Sequence, residues 1–248
     1  AKTKAKDAIL VIDEIQKIMQ WSDRIKALWD KERRTDKSLK LVLLGSSSLE
    51  LSLGLNESLA GRFELIECHH WNFLESQEAF DFSLDEFLVL GGYPEAAKFR
   101  KDFARWKQYL TNSIIETVIG KDLLQVRTVG KPALFRQTFE LISGYPSQEI
   151  SYNKLLGQLQ DKGNTDLIKS YLELYEAAFL FKCLHKYSGS LLRTKTSSPK
   201  ILPMCPALHS HKMEPEDFQD ATIRGHAFEA CVGAELAKLP GQLYYWRD

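Results

Sequence analysis

Residues 7–16 read DAILVIDEIQ, five apolar residues in a row and then two adjacent carboxylates, Asp13 and Glu14. An aspartate at the tip of a buried strand can hold a magnesium ion through water. A glutamate beside it can orient or deprotonate the water that attacks a nucleotide phosphate. The plainer alternative is that Asp13 caps the helix that follows, as short polar residues often do. About thirty residues on, LKLVLLGSSS ends in Ser46, Ser47 and Ser48, hydroxyls that at a strand end could feel a terminal phosphate. Arg62 follows Gly61 in SLAGRFELIE, where the glycine permits a tight turn.

These residues need elements to position them. AILVI is a continuous aliphatic run of the kind that forms a central parallel strand buried on both faces. The stretch from Ile15 to Arg34 places Ile15, Ile18, Met19, Ile25, Leu28 and Trp29 at mostly helical spacing. LKLVLL gives a second strand. Strand, helix, strand is a βαβ unit, and such sheets bind ligands at the carboxyl ends of their strands.

A nucleotide also needs a cradle for its phosphates, a GxxxxGK[ST] loop. The chain has none. Gly120-Lys121 is followed by Asp122 and Gly130-Lys131 by Pro132, and neither pair has the upstream glycine.

DAILVIDEIQ, LVLLGSSS, ESLAGRFELIE and FLVLGGYPEAA, in that order and spacing, resemble the prokaryotic AAA+ ATPases that carry a C-terminal domain of unknown function. The resemblance covers nearly the whole chain. It implies that Asp13 and Glu14 are the Walker B pair and that Ser46 or Ser47 takes the sensor-1 place, where many of these proteins use asparagine. It makes Arg62 the candidate sensor or arginine finger, with a structural salt bridge as the alternative. It implies ATP and Mg2+ as cofactors and a homo-oligomer as a possible assembly. It places the phosphate loop ahead of Ala1, so the chain reads as a fragment cut inside its ATPase domain.

Further along, FLVLGGYPEAA reads as a structural turn before a helix. From Phe73 to Leu134 the pattern is helical and aromatic, with Phe80, Phe82, Phe87, Phe99, Phe103, Trp106 and Tyr109 as core. Residues 134–187 read as helix, helix (with Ser151 as N-cap), a turn at DKGN, a longer third helix, and FKCLHKY at the start of a β wing. That is the winged-helix plan, and the resemblance supports it. A DNA reader would carry basic residues on the third helix. The helix has Lys169, but also Asp166, Glu173 and Glu176, so packing or protein contact is as good a reading as DNA.

In the last quarter, PKILP reads as a strand, IRGHAFEACVGAELAKL as a helix and QLYYWRD as a strand. The resemblance implies a PD-(D/E)xK nuclease-like fold in which Glu229 matches the helix glutamate, as a vestigial or structural residue. The other site residues of such a fold would follow WRD. Where the family commonly has an aspartate after the strand this chain has PMCPAL, and no role passes to Cys205. His209 and His211 read as surface loop histidines, and a metal site with Cys205 is the remote alternative.

The expected fold is therefore α/β plus α. Residues 1–72 are a partial P-loop NTPase (AAA+) core with a parallel sheet, 73–133 a helical lid and linker, 134–187 a winged-helix unit, and 188–248 a partial nuclease-like α/β domain. The 248 residues are 44% hydrophobic and 27% charged, an ordinary globular balance. Lys plus Arg equals Asp plus Glu, 33 each, which argues against a general polyanion binder. The four cysteines are scattered, without a CxxC pair, and read as reduced thiols of a cytoplasmic protein. No run approaches the roughly 18 apolar residues of a membrane span. Three functions are expected: an ATPase in the full-length protein, a nucleotide-gated DNA-binding or regulatory module, or a fragment without activity of its own.

Overall fold

The computed structural model describes residues 7–32, 38–45, 59–126, 129–159, 163–188 and 197–247. The chain divides into two compact units, 1–67 and 68–248.

In the first unit, β1 (Asp7–Ile12) leads through a 3-10 turn (Ile15–Lys17) to α1 (Trp21–Glu32) and then β2 (Ser38–Leu43). The strands are parallel, with Leu10 opposite Leu41 and Ile12 opposite Leu43. Strand side chains alternate between faces. Ile12, Leu41 and Leu43 pack against a small core of Ile15, Trp21, Ile25 and Leu59. The other face carries Ile9, Val11 and Val42, which are 68%, 55% and 41% exposed. The expectation of a strand buried on both faces is thus corrected. Among the described residues β1 has one neighbouring strand and one covered face.

The helix expected to run on from Ile15 is also interrupted. Ile18 is extended and Gln20 is left-handed (φ 54°), which turns the chain so that Trp21 and Ile25 land on Ile15.

The second unit opens with α2 (Phe73–Phe80) and α3 (Leu84–Leu90). Both start with reciprocal capping boxes, Asn72 with Glu75 and Ser83 with Glu86. A 3-10 turn (Pro94–Phe99) and α4 (Phe103–Tyr109) follow, then π-helical turns through Asp122 and a short α5 (Leu123–Val126). The paired glycines ahead of Pro94 do make the expected turn. Gly91 sits at φ 70°, and a Cβ on Gly92 would overlap the Trp71 carbonyl.

Next come α6 (Pro132–Ser143), β3 (Gln148–Glu149), α7 (Tyr152–Gln158), α8 (Thr165–Ala177), β4 (Phe181–Lys186) and β5 (Lys200–Pro203). Ser151 caps α7 as the sequence indicates, accepting from the Lys154 N–H at 3.1 Å. Half of the turn expected at DKGN, Asp161 and Lys162, lies outside the described residues. After β5 come α9 (Ala207–Ser210), a 3-10 turn (Pro215–Gln219), α10 (Ala221–Ala237) and β6 (Tyr244–Tyr245). The sheet order is β3-β5-β4-β6, antiparallel except for the β4–β6 pair. Strands on both sides of residue 188 share this one sheet, so 134–187 and 188–248 are joined through the β4–β5 pairing.

The core of this unit is aromatic. Phe135 meets Tyr171 edge-on and Tyr175 at a tilt, and Phe139 meets Tyr175 and Phe181 edge-on, all fully buried. The Tyr175 hydroxyl donates to the Phe135 carbonyl, which removes the cost of burying it. His209 and His211 belong to this buried region and not to a surface loop: they are 0% and 3% exposed. CPALHSH closes into the short helix α9, and the Ser210 hydroxyl donates to the Val89 carbonyl, which ties α9 to α3. Among the described residues no helix is long and apolar enough to cross a membrane.

Candidate functional site

The carboxyl ends of β1 and β2 are stitched together by two hydrogen bonds. Leu44 donates to the Ile12 carbonyl (2.8 Å) and Ile15 donates to the Leu44 carbonyl (3.1 Å). Asp13 and Glu14 lie between these bonds. They are fixed at the ligand-binding end of the parallel pair, beside the chain that leads through Gly45 into Ser46 and Ser47. Those two serines lie outside the described residues.

Glu14 is left-handed (φ 52°, ψ 41°), a conformation that costs energy for a residue with a Cβ. It heads the 3-10 turn without a side-chain cap bond. Its Oε2 accepts from the Gln16 amide at 2.9 Å and pairs with Lys17 at 3.0 Å. The Asp13 carboxylate accepts from the Glu14 N–H at 2.9 Å. Asp13 therefore does not cap α1, which begins eight residues later at Trp21. The donor set, two carboxylates on one strand tip, consists of hard oxygens of the kind that suit magnesium.

Arg62 is exposed, in a turn where its N–H donates to the Leu59 carbonyl (2.9 Å) and Gly61 takes φ 72°. Leu59 packs with Ile15, the residue after Glu14, so the turn is anchored to the core on which the acids stand.

Glu229 lies far along the sequence, on α10, and pairs with Lys200 of β5. It lines a cavity of about 420 Å³ together with Glu149, His226 and Arg247. Arg247 pairs with Glu149 at 3.2 Å, and so links the segment after β6 to β3, the two outer strands of the sheet. Sequence reasoning reached Glu229 but not its companions. His226 is one helical turn before it on α10, but Glu149, Lys200 and Arg247 come from β3, β5 and the segment after β6, and no local spacing brings such distant positions together.

Burial favours the neutral form of three cysteines and three histidines. Burial pushes the Cys205 thiol up to about 11, although the Gly92 N–H donates to its sulfur at 3.2 Å. Burial likewise raises Cys183 and takes Cys231 up to about 11. None is an activated nucleophile. Burial lowers His209 to about 3, with His211 adding to the effect, and lowers His211 to about 4. His70, buried against the Tyr93 hydroxyl (3.0 Å), falls to about 4 through burial and then Lys238. Among the described residues no group of three His, Cys, Asp or Glu could hold a metal, which removes the Cys205–histidine alternative.

No solved structure matches the chain. The uncharacterized protein Rv2008c of Mycobacterium tuberculosis is 28% identical over 247 residues, covering 96% of this chain and 53% of the relative. The uncharacterized protein Mb2031c of Mycobacterium bovis matches with the same figures. The uncharacterized protein MJ1544 of Methanocaldococcus jannaschii is 25% identical over 208 residues, 76% of this chain and 45% of the relative. The chain thus spans about half the length of the curated relatives it matches. Residues 1–77, which contain Asp13, Glu14 and Arg62, match the AAA domain family and support an AAA-type ATPase class for this part. Residues 81–213, more than half of the chain, match the domain of unknown function DUF8612, and the chain belongs to that family.

Proposed function

We propose that a chain of the relatives' length binds and hydrolyses ATP, with the site built around Asp13 and Glu14. The observation that carries this reading is their position: two acids bracketed by hydrogen bonds at the carboxyl ends of a parallel strand pair, in a segment matching an AAA domain. Asp13 would hold magnesium through water, and the metal when bound would offset phosphate charge. Glu14 would orient the attacking water and take its proton. Its present partners are Gln16, through a part-buried hydrogen bond, and the exposed Lys17, whose ion pair is cheap to leave. Ser46 or Ser47 would sense the terminal phosphate, and Arg62 would stabilise charge developing on it, in its own subunit or across an oligomer interface. These 248 residues contain no GxxxxGK[ST] loop, so hydrolysis is proposed for the longer chain.

The test is Glu14→Gln in that longer chain. Hydrolysis should fall by at least about a hundredfold, the usual contribution of a positioned general base, while nucleotide binding persists. Unchanged turnover would remove Glu14 from the mechanism.

A second reading concerns residues 132–203. Their order, helix, strand, helix, helix, strand, strand, with a β3-β5-β4 sheet, supports a winged-helix reading. The exposed positions of α8 include Asp166, Lys169 and Glu173, and Lys169 already pairs with Asp166 at 3.5 Å. A face with two acids to one lysine opposes phosphate. We therefore favour packing or protein contact for this unit over DNA reading. Gel-shift titration at two salt concentrations should show no salt-dependent shift with duplex DNA. A shift that weakens with salt would restore the DNA reading. Glu229 is tied to Lys200, no group of three metal-ligating side chains occurs among the described residues, and it is proposed as a remnant of a nuclease-like fold.

A further inference from the structure

The cavity beside Glu229 has a composition that restricts what can enter it. Its charged edge is two ion pairs, Lys200 with Glu229 and Arg247 with Glu149. Two cations and two carboxylates sum to zero, and His226 stands 4.0 Å from Glu229 as a fifth polar group. Ser147 lines the cavity and is 2% exposed, yet its hydroxyl has no hydrogen-bond partner among the described residues. Buried hydroxyls are seldom left this way. At the rim, Trp246 is 69% exposed and offers an apolar surface.

The charge balance selects the ligand. A purely anionic ligand would take Lys200 or Arg247 and leave a carboxylate facing it unpaired. A purely cationic ligand would strand Lys200 or Arg247 in the same way. At partly exposed pairs each exchange is cheap, so a ligand of one sign gains one contact where a ligand of both signs gains two. A ligand that carries both charges exchanges partners without stranding any: its carboxylate goes to the cations and its ammonium to Glu229 and Glu149. The pairs are partly exposed, Arg247 at 72% and Glu229 at 50%, so opening them costs little.

We propose that this cavity is a binding site for a free α-amino acid with an apolar side chain. The ammonium and carboxylate share one carbon and bridge the two ion pairs, Ser147 satisfies its hydroxyl on the same head group, and the side chain lies on Trp246. The volume of about 420 Å³ is within the range of small-molecule sites. The site is separate from the Asp13–Glu14 reading and stands or falls without it.

The test uses the 248-residue chain, labelled with 15N and titrated with L-leucine, L-phenylalanine and L-tryptophan at millimolar concentrations. At least one should shift the backbone amides of Glu149, Lys200 and Arg247. Its N-acetyl form, lacking the ammonium, and its methyl ester, lacking the carboxylate, should each bind roughly tenfold more weakly, as for the loss of one charge-assisted contact. Glu229→Gln and Arg247→Gln should weaken the free amino acid to a similar degree. The blocked ligands keep the test decisive if a variant fails to fold. Absence of shifts with all three amino acids overturns the proposal. So does equal binding of the N-acetyl form, or binding of inorganic phosphate or AMP at the same amides as tight as the amino acid, either of which would make the cavity an anion site.

Discussion

The two sheets of this protein are built from similar residues and end in different states. β4 and β5 lie over a buried aromatic cluster, with Phe181, Ile201 and Leu202 nearly inaccessible. β1 and β2 are as aliphatic, yet Ile9, Val11 and Val42 stay open on one face. Parallel strands of this composition occur with both faces covered. Residue type therefore states what a strand is suited to, and its neighbours decide whether that is realised. The contrast has a direct energetic consequence. Phe135→Ala, at a site with no exposure, should lower the unfolding free energy of 68–248 by about 3–5 kcal/mol. Val11→Ala, at 55% exposure, should change that of the first unit by less than about 0.5 kcal/mol. Urea titrations of both variants measure the difference. A comparable loss at Val11 would mean that the open face is covered in solution.

How legible each unit was in the sequence follows the same division. In the second unit the helical and strand patterns led to elements at nearly their observed positions, because caps such as Ser151 and breaks such as Gly91-Gly92-Tyr93-Pro94 act locally. In the first unit DAILVIDE placed the strand and the acids at its tip, but not the open face, the left-handed Gln20 or the interrupted helix. Those depend on what packs against the segment, and periodicity does not report that. His209 and His211 failed for a related reason. PMCPALHSH has loop composition, and burial came from α9 seating beside α3, more than a hundred residues away in sequence. The cavity at Glu229 was invisible because its ion pairs join positions from 149 to 247.

Acid should separate the units further. All six histidines lie beyond residue 68, and burial holds His209 at about 3 and His211 and His70 at about 4. The unfolded chain binds these protons near 6.5, above the folded values. The stability contributed by keeping the rings neutral is therefore complete above pH 6.5 and is lost as pH falls toward the folded values. At pH 5 each ring costs about 2 kcal/mol. The positive groups nearby, Lys107 at His211 and Lys238 at His70, act in the same direction. His209→Phe should shrink the difference in unfolding free energy between pH 7 and pH 5 by about 2 kcal/mol, read from urea midpoints of 68–248. The first unit, without histidine, should lack this dependence. An unaltered pH profile in the variant would show that His209 reaches solvent or a hydrogen-bond partner.

The smallest expected effect bears most directly on the site. Many helix starts in the second unit use their side chains, with Asn72, Ser83, Ser151, Asn164 and Asp220 accepting from backbone N–H groups, although the left-handed Lys131 ahead of α6 does not. Glu14 occupies the equivalent place before the 3-10 turn and makes no such bond, while its backbone holds a left-handed conformation. A left-handed residue with a Cβ costs about 1–2 kcal/mol, and glycine there costs about 0.5–1 kcal/mol in lost chain freedom. Glu14→Gly should thus be neutral or stabilising by about 0.5 kcal/mol, even after losing the contacts to Gln16 and Lys17. That outcome would support the proposed role of Glu14 in chemistry, in keeping with the trade between stability and activity at functional sites. A loss above about 1 kcal/mol on urea unfolding of the first unit would reverse that reading and make Glu14 a structural residue, its ion pair to Lys17 holding the turn.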